Sequence, residues 1–361
     1  MTDRIQTVTM PKWGMTMTEG KIATWLKEPG DRIEPGEEFV EIETEKITNV
    51  VEAQVAGTLR RVLVQPGQSA PCGSVIAILA DADVPEDEID AIAAAAPEMV
   101  VSEAAMQEVR IDAGGMMLNV VSAGTGDAAP LILLHGFASD AASWMFVQGS
   151  LAEARRVHAI DLPSHGASDV DPAVASVDAL ADRLATVIGT LAPGQMHLAG
   201  HSLGGRLAAR LAAGLGDRVL SLTLIAPAGL GQTVNQAFVA GFLAADKRRP
   251  MKEALQMLVA AQGAVTPEMV ERALASKRMD GATEALSAIA AASLGTGQAT
   301  GADDDLAHVT APVLTIWGAE DRVIAAPSFG AEIIADAGHI PQMEAASTVV
   351  ARMTKHMEDT E

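Results

Sequence analysis

The sequence predicts a multidomain chain, in which a small all-β sandwich is joined to a doubly wound α/β domain carrying a helical cap. Three observations predict it. The first 80 residues repeat their own pattern of glycine and proline turns. From about Val109 onward, short apolar runs alternate with helical stretches. Between Leu230 and about Gly297 the strand signals stop and only helical patterns remain. The expected divisions are 1–80 for the sandwich, 81–107 for a linker and 108–361 for the α/β domain, with the cap at about 230–297.

In the N-terminal part, Gly20, Pro29, Gly30 and Gly36 recur as Gly57, Pro66, Gly67 and Gly73, each displaced by 37 positions. Apolar positions follow the same displacement: Ile22 matches Leu59, Trp25 matches Val62 and Phe39 matches Ile76. Two β-rich halves with turns at matching places predict a sandwich with pseudo-twofold symmetry. In the stretch VEIETEKITNV, the residues Val40, Ile42 and Thr44 alternate with Glu41, Glu43 and Glu45, the period of a half-buried strand. Lys46 follows, between the halves and away from both sets of core positions, where a hairpin tip exposes a side chain.

Residues 81–107 hold eight carboxylates and no Lys or Arg. They are rich in Ala, and Pro85 and Pro97 limit any helix, so the stretch reads as an acidic linker with at most a short helix through EDEIDAIAAAA. As a flexible coil it spans roughly 25–30 Å on average.

The α/β pattern rests on the runs PLILLHG, RRVHAIDLP, GQMHLAG, VLSLTLIAP and APVLTIWG, which suit strands buried in a parallel sheet. VDALADRLATVIGTLA and GGRLAARLAAGL fall between them as helices. In the cap, NQAFVAGFLAADKRRPMKEALQMLVAAQ and PEMVERALASKRM read as helices.

Gly200-His201-Ser202-Leu203-Gly204 is a G-x-S-x-G pattern that follows an expected strand and opens an expected helix. That context turns a weak pattern into a nucleophile elbow, because the glycines permit a tight turn that a β-carbon obstructs. The plainer alternative is a glycine-rich turn with a capping serine. A nucleophilic serine needs a base, and the base an orienting acid. Downstream, His339 lies in DAGHIPQME on a loop at a strand end, whereas His356 falls in the charged tail and reads as solvated surface. Asp321 directly follows PVLTIWGAE, a better position than Asp336 or Asp303–Asp305. An oxyanion hole is expected from the backbone N–H of Leu203 and that of Phe137 in LLHGFAS.

The totals bound the function. The chain has 361 residues, 49% of them hydrophobic, and a net charge of −22, which argues against nucleic acid or an anionic membrane surface as partner. With one cysteine, Cys72, no internal disulfide forms, and a reducing, cytoplasmic setting is expected. Cys72 sits in PGQSAPCGS, with nothing nearby to activate its thiol. No metal-ligand spacing, signal peptide or membrane-length apolar run is present in the sequence.

The N-terminal stretches MPKWGMTMTEGKIATWL, EPGDRIEPGE and ETEKI resemble lipoyl domains. That resemblance implies lipoate attached to Lys46 by a separate lipoate ligase. The related biotin carriers place their lysine between methionines, whereas here the neighbours are Glu45 and Ile47. The later stretches HGF, DLPSHGAS, GHSLGG, WGAEDRV and GHIPQMEA resemble, in order, the α/β-hydrolases, whose serine, acid and histidine fall on Ser202, Asp321 and His339. The combination resembles the dihydrolipoamide acetyltransferase components of bacterial acetoin dehydrogenase complexes. It lacks the H-x-x-x-D-G of the usual acyltransferase components: Asp280-Gly281 is preceded by Ser276 where that histidine belongs.

The resemblance implies transfer of acetyl from S-acetyl-dihydrolipoyl-Lys46 to coenzyme A. It also implies two enzyme partners, an acetoin-cleaving dehydrogenase with thiamine diphosphate and a dihydrolipoyl dehydrogenase. Lys247, Arg248 and Arg249, the densest basic cluster of an acidic chain, are candidates to hold the nucleotide phosphates of coenzyme A, against the plainer reading of cations near a helix C-terminus. Two alternatives stand beside the transferase: a thioesterase or esterase tethered to a lipoyl module, and a lipoyl carrier with a catalytically idle hydrolase fold. Whether transfer passes through an acyl-serine or goes directly to coenzyme A is left open by the residues.

Overall fold

The computed structural model describes residues 5–11, 19–43, 48–53, 56–81, 83–95, 106–230, 233–295, 301–327 and 330–361. The chain divides into two compact units, Met1–Ser102 and Glu103–Glu361.

The first unit is a sandwich of two four-stranded sheets. Its strands are β1 (Ile5–Thr9), β2 (Glu19–Trp25), β3 (Arg32–Ile33), β4 (Glu38–Glu43), β5 (Thr48–Glu52), β6 (Gly57–Val62), β7 (Ser69–Pro71) and β8 (Val75–Ala80). One sheet has the order β1-β8-β6-β3 and the other β5-β4-β2-β7. The 37-residue displacement carries β2 onto β6 and β4 onto β8, so each sheet is the counterpart of the other. The repeated turn glycines Gly30, Gly36, Gly67 and Gly73 all have positive φ, a conformation that costs other residues energy. The Gly30 N–H donates to the Leu59 carbonyl and the Gly67 N–H to the Ile22 carbonyl, both at 2.7 Å, so each half closes a turn of the other. Ile22, Ile33, Phe39, Ile42, Leu59 and Ile76 fill the core. Side chains of this size contribute about 1.5–3 kcal/mol each on burial.

Lys46 lies outside the described residues. The strands that flank it pair antiparallel, with Glu43 opposite Thr48.

The acidic stretch contains the short helix that EDEIDAIAAAA allows, but this helix packs on the sandwich instead of staying a solvated linker. Glu86–Ala95 forms a helix, α1. Val84 and Ile89 bury against Ile78 and Ala80 of β8, in a cluster separate from the sandwich core. Arg60 and Arg61 of β6 pair with Glu86, and Arg61 also with Asp90. Glu86 and Asp90, two of the eight carboxylates that make the segment look solvated, thus pair with arginines of the sandwich.

The second unit is built on a seven-stranded sheet of order β11-β10-β12-β13-β14-β15, with β9 paired to β10. The chain enters through β9 (Gln107–Asp112) and β10 (Met117–Leu134), then α2 (Met145–Leu151), β11 (Arg155–Ile160), α3 (Val177–Leu191), β12 (Met196–His201), α4 (Leu203–Leu215) and β13 (Val219–Ile225). The cap follows as α5 (Gln236–Ala244), α6 (Arg248–Leu255), α7 (Pro267–Ser276) and α8 (Ala282–Ser293). The fold closes with α9 (Gly301–Leu306), β14 (Val313–Gly318), β15 (Glu332–Ile334), α10 (Pro341–Glu344) and α11 (Ala346–Glu358). The end of β10 is parallel to its neighbours, with Leu134 opposite both Ile160 and Gly200. Gly200 in turn lies opposite Leu224, Ile225 opposite Ile316, and Gly318 opposite Ile334. The carboxyl ends of the strands therefore share one edge, where open α/β sheets place their sites. One face packs on α3, α4 and the cap, and the other on α2 and α11.

Candidate active site

Ser202 sits between β12 and α4 with φ 53° and ψ −116°, a strained conformation for a residue with a side chain. The surrounding glycines make the turn possible. A β-carbon on Gly200 would lie 2.2 Å from the Gly204 carbonyl oxygen, and one on Gly204 would lie 2.2 Å from the Leu134 carbonyl oxygen. The Ser202 N–H donates to the Ile225 carbonyl at 2.9 Å, and its own carbonyl accepts from Arg206 and Ala228. Although it precedes α4, the Ser202 side chain makes no capping hydrogen bond. Its Oγ is instead 2.9 Å from His339 Nε2.

The other ring nitrogen of His339, Nδ1, is 2.7 Å from Asp321 Oδ2. Asp321 stands just past β14 and His339 just past β15, so adjacent parallel strands deliver the pair. Both side chains are buried, at 0% and 2% exposure. Asp321 Oδ1 accepts from the N–H groups of Val323 (2.8 Å) and Ile324 (2.9 Å), and Oδ2 also accepts from Trp317 Nε1 at 3.0 Å. Burial opposes the charge on Asp321, but His339 and these backbone donors outweigh it and hold the carboxyl below its usual range. With Nδ1–H donated to Asp321, Nε2 is left as a lone pair facing the serine hydroxyl. The structure thus brings Ser202, His339 and Asp321 together.

Phe137 and Leu203 are both buried. A β-carbon on Gly136, the residue before Phe137, would lie 3.2 Å from Ser202 Cβ, which sets the HGF loop against the serine. Three further histidines line this region. His135 Nε2 accepts from the Leu162 N–H at 2.9 Å, so the ring is neutral, and burial takes its pKa down to about 4. His165, buried under Phe137 with ring centroids 6.2 Å apart, falls to about 3. His201 falls to about 3 through burial and the neighbouring His339; its Nε2–H donates to the His339 carbonyl at 2.7 Å. Motif reading missed all three roles, although His135, His165 and His201 stand inside the quoted stretches.

The cap reaches the site from above. Phe242 of α5 packs edge-on to Phe137, with centroids 6.2 Å apart. Lys277, just past α7, donates to the carbonyls of Phe242, Leu243 and Ala245, closing the C-terminal end of α5. The Asn235 N–H, at the start of α5, donates to the Val323 carbonyl at 2.8 Å, beside Asp321. The His339 N–H donates to the Leu258 carbonyl at 2.8 Å. Glu344 accepts from the N–H groups of Ala260 and Gly338. Burial raises its pKa, partly offset by those N–H groups.

Lys247, Arg248 and Arg249 are not near a helix C-terminus, as the plainer sequence reading had them. Lys247 is the N-cap of α6 and the two arginines open it, because α5 has already ended at Ala244. Arg248 pairs with Glu271, and Arg249 pairs with Glu253 at 3.0 Å. His356, expected at the surface, is half-buried in α11, and burial lowers the pKa of His197 on β12. Of the weaker acid candidates, Asp305 pairs with Arg206 of α4. Cys72 is buried. Among the described residues, no group of three or more His, Cys, Asp or Glu is placed to hold a metal ion, and no helix is long and apolar enough to cross a membrane.

A family model described as the alpha/beta hydrolase family matches residues 131–353, and a biotin/lipoyl model described as biotin-requiring enzyme matches residues 6–79. Among solved structures, the second unit is similar to a membrane phospholipase A described as a bacterial virulence factor, with TM-score 0.61, 24% identity, and 76% of this chain and 97% of that one covered. It is also similar to a 2-hydroxy-6-oxo-6-phenylhexa-2,4-dienoate hydrolase from Rhodococcus sp., with TM-score 0.62, 19% identity, and 70% and 99% covered. At these identities the likeness concerns the fold alone.

The first unit has relatives of its own. A dihydrolipoyllysine-residue acetyltransferase component of a pyruvate dehydrogenase complex from Rickettsia conorii is 43% identical over 88 residues, covering 24% of this chain and 21% of that protein. The dihydrolipoyllysine-residue acetyltransferase component of the acetoin cleaving system of Pseudomonas putida is 36% identical over 97% of this chain and 98% of its own length. The same component from Cupriavidus necator is also 36% identical, over 97% and 96%. Because that identity runs through both units, the chain belongs to the family of dihydrolipoyllysine-residue acetyltransferase components of acetoin cleaving systems, with a catalytic unit of the alpha/beta hydrolase family.

Proposed function

We propose that the chain transfers an acetyl group from a dihydrolipoyl thiol on Lys46 to coenzyme A, with Ser202, His339 and Asp321 as the reacting residues. The observation that carries the reading is the hydrogen-bonded chain from Asp321 through His339 to Ser202, in a protein whose other unit is a lipoyl-type sandwich. Lys46 fits attachment because Glu43 pairs with Thr48, so the hairpin connection is no longer than the four residues that include it. When attached, the lipoyl group supplies the thiol on which the acetyl group arrives as a thioester.

The residues of this chain then act in order. His339 Nε2 takes the Ser202 proton as Oγ bonds to the thioester carbonyl carbon. The N–H groups of Phe137 and Leu203 stabilise the oxyanion. His339 gives its proton to the departing sulfur as the C–S bond breaks, leaving acyl-Ser202. In the second half His339 takes the thiol proton of coenzyme A, the new C–S bond forms, and the proton returns to Ser202 Oγ. Asp321 orients the imidazole and stabilises its charged form throughout. A transfer without acyl-serine needs only the His339 step on coenzyme A.

The phosphates of coenzyme A are assigned to Lys247, Arg248 and Arg249, which have to exchange Glu271 and Glu253 for the ligand. The chain works in a multienzyme complex. Its proposed partners are an acetoin-cleaving dehydrogenase with thiamine diphosphate and a dihydrolipoyl dehydrogenase, with lipoate ligase loading Lys46 in the cytoplasm.

The test mixes the purified protein with acetyl-CoA, with and without free dihydrolipoamide, and follows S-acetyl-dihydrolipoamide and free coenzyme A together, beside Ser202→Ala. Thioester formed only with acceptor, and lost in Ser202→Ala, supports the reading. Coenzyme A released equally fast without acceptor makes the protein a thioesterase. Thioester formation that survives Ser202→Ala favours direct transfer.

A further inference from the structure

Water competes with a thiol for an acyl-Ser202, and a transferase has to keep water out while admitting the thiol. One carboxylate, Glu344 on α10, stands where that control is exercised. Its Oε2 accepts from the N–H of Gly338, the residue before His339, at 2.7 Å. Its Oε1 accepts from the N–H of Ala260, in the cap segment between α6 and α7, at 2.6 Å.

The same cap segment is fastened at other points. The Leu258 carbonyl accepts the His339 N–H at 2.8 Å. The carbonyls of Val259 and Ala260 accept from Arg322, the residue after Asp321, at 2.7 and 3.0 Å. The approach is tight: a β-carbon on Gly338 would lie 2.7 Å from the Leu258 carbonyl oxygen and 2.8 Å from the Ala260 nitrogen. Leu258–Ala260 is thus tied to the Arg322 side chain beside the acid and to the backbone of the base.

We infer that Glu344 is a positioning residue that couples closure of the cap to the alignment of His339, and so sets how acyl-Ser202 divides between thiol and water. The inference rests on the acyl-transfer reading above. A carboxylate that accepts from both loops bridges them directly, and its removal releases a tie of each. With Glu344 in place, Leu258–Ala260 covers the histidine loop and water is excluded from the acyl group. Without it, the cap segment lifts and His339 deprotonates water as readily as thiol. The substitution therefore changes the ratio of two reactions that share one acyl-enzyme, which a general loss of stability does not do.

The experiment compares wild type, Glu344→Ala, Glu344→Gln and Arg322→Met in the acetyl-CoA and dihydrolipoamide assay, scoring hydrolysis and transfer separately. Amide exchange at Ala260 and Gly338 is followed in the same samples. The lost charge-assisted hydrogen bonds are worth about tenfold or more. Glu344→Ala should therefore raise the hydrolysis-to-transfer ratio about tenfold or more and lose protection at both amides. Glu344→Gln keeps one acceptor oxygen and should fall between. Arg322→Met frees the same segment through different atoms and should move the ratio in the same direction, which keeps the test open if Glu344→Ala does not fold. A ratio unchanged in the folded variants, whatever the overall rate, overturns the inference. A wild type that releases coenzyme A equally with and without acceptor instead overturns the transferase reading; in that case retained protection at Ala260 and Gly338 in Glu344→Ala would independently overturn the coupling.

Discussion

Replacing Asp321 with Asn keeps the shape of the side chain and removes its charge. Four donors converge on this carboxylate: the Val323 and Ile324 N–H groups on Oδ1, and Trp317 Nε1–H and His339 Nδ1–H on Oδ2. An amide has one acceptor oxygen, so its NH2 must face two of those donors. The backbone pair cannot turn away, whereas Trp317 keeps a second acceptor in the Ile324 carbonyl at 2.9 Å. The oxygen therefore goes to the backbone side, and the NH2 meets His339. The imidazole answers by moving its proton from Nδ1 to Nε2, so that Nδ1 accepts from the amide. In that tautomer Nε2 donates to Ser202 Oγ and is no longer a base. The same exchange in serine proteases lowers kcat about 10⁴-fold, so a loss of about 10³–10⁴-fold, or ~4–5.5 kcal/mol of transition-state stabilisation, is expected here. Asp321 does not touch substrate, so KM for acetyl-CoA should stay within about threefold of wild type. The assay is acetyl exchange between acetyl-CoA and dihydrolipoamide at saturating substrate. A variant that is folded and keeps kcat within about tenfold of wild type would refute the assignment of Asp321 as the orienting acid.

Three other outcomes follow from the structure. Gly204→Ala puts a β-carbon 2.2 Å from the Leu134 carbonyl oxygen and 2.4 Å from that of His135, backbone atoms that cannot yield, so it should cost about 3 kcal/mol by urea unfolding. Unchanged stability would mean the elbow is looser than described. His201 is held neutral at a pKa of about 3 against about 6.5 when unfolded, so the unfolded state takes up the extra proton and stability falls as pH drops below 6.5. His201→Gln, which still donates to the His339 carbonyl, removes that term, so the wild type should lose up to ~1.4 kcal/mol per pH unit relative to the variant between pH 6.5 and 4; parallel pH–stability curves would count against a buried neutral His201. Replacing Lys247, Arg248 and Arg249 together with Ala should raise KM for coenzyme A several-fold, by roughly 1 kcal/mol or more. An unchanged KM would remove the cluster from the coenzyme A site.

Much of this protein is determined locally and is legible from the chain. The 37-residue displacement of glycines and prolines reports a twofold sandwich because each turn needs positive φ at the same place in each half. Ser202, Asp321 and His339 are each found because a strand end precedes them, and parallel strands align their carboxyl ends at one edge. What the tertiary structure alone decided concerns groups whose partners lie far along the chain. The carboxylates of 81–107 signal a solvated coil until Arg60 and Arg61 are seen to receive Glu86 and Asp90. His201 is one residue of a motif until its Nε2–H is found on the carbonyl of His339, 138 positions away. Glu344 carries no signal in sequence, because an exposed and a half-buried glutamate look alike there. Its meaning comes from accepting hydrogen bonds from Ala260 and Gly338, whose proximity only packing of the cap on the sheet creates. Periodicity and turn chemistry act within one element. Burial, and the hydrogen bonds it makes obligatory, act between elements.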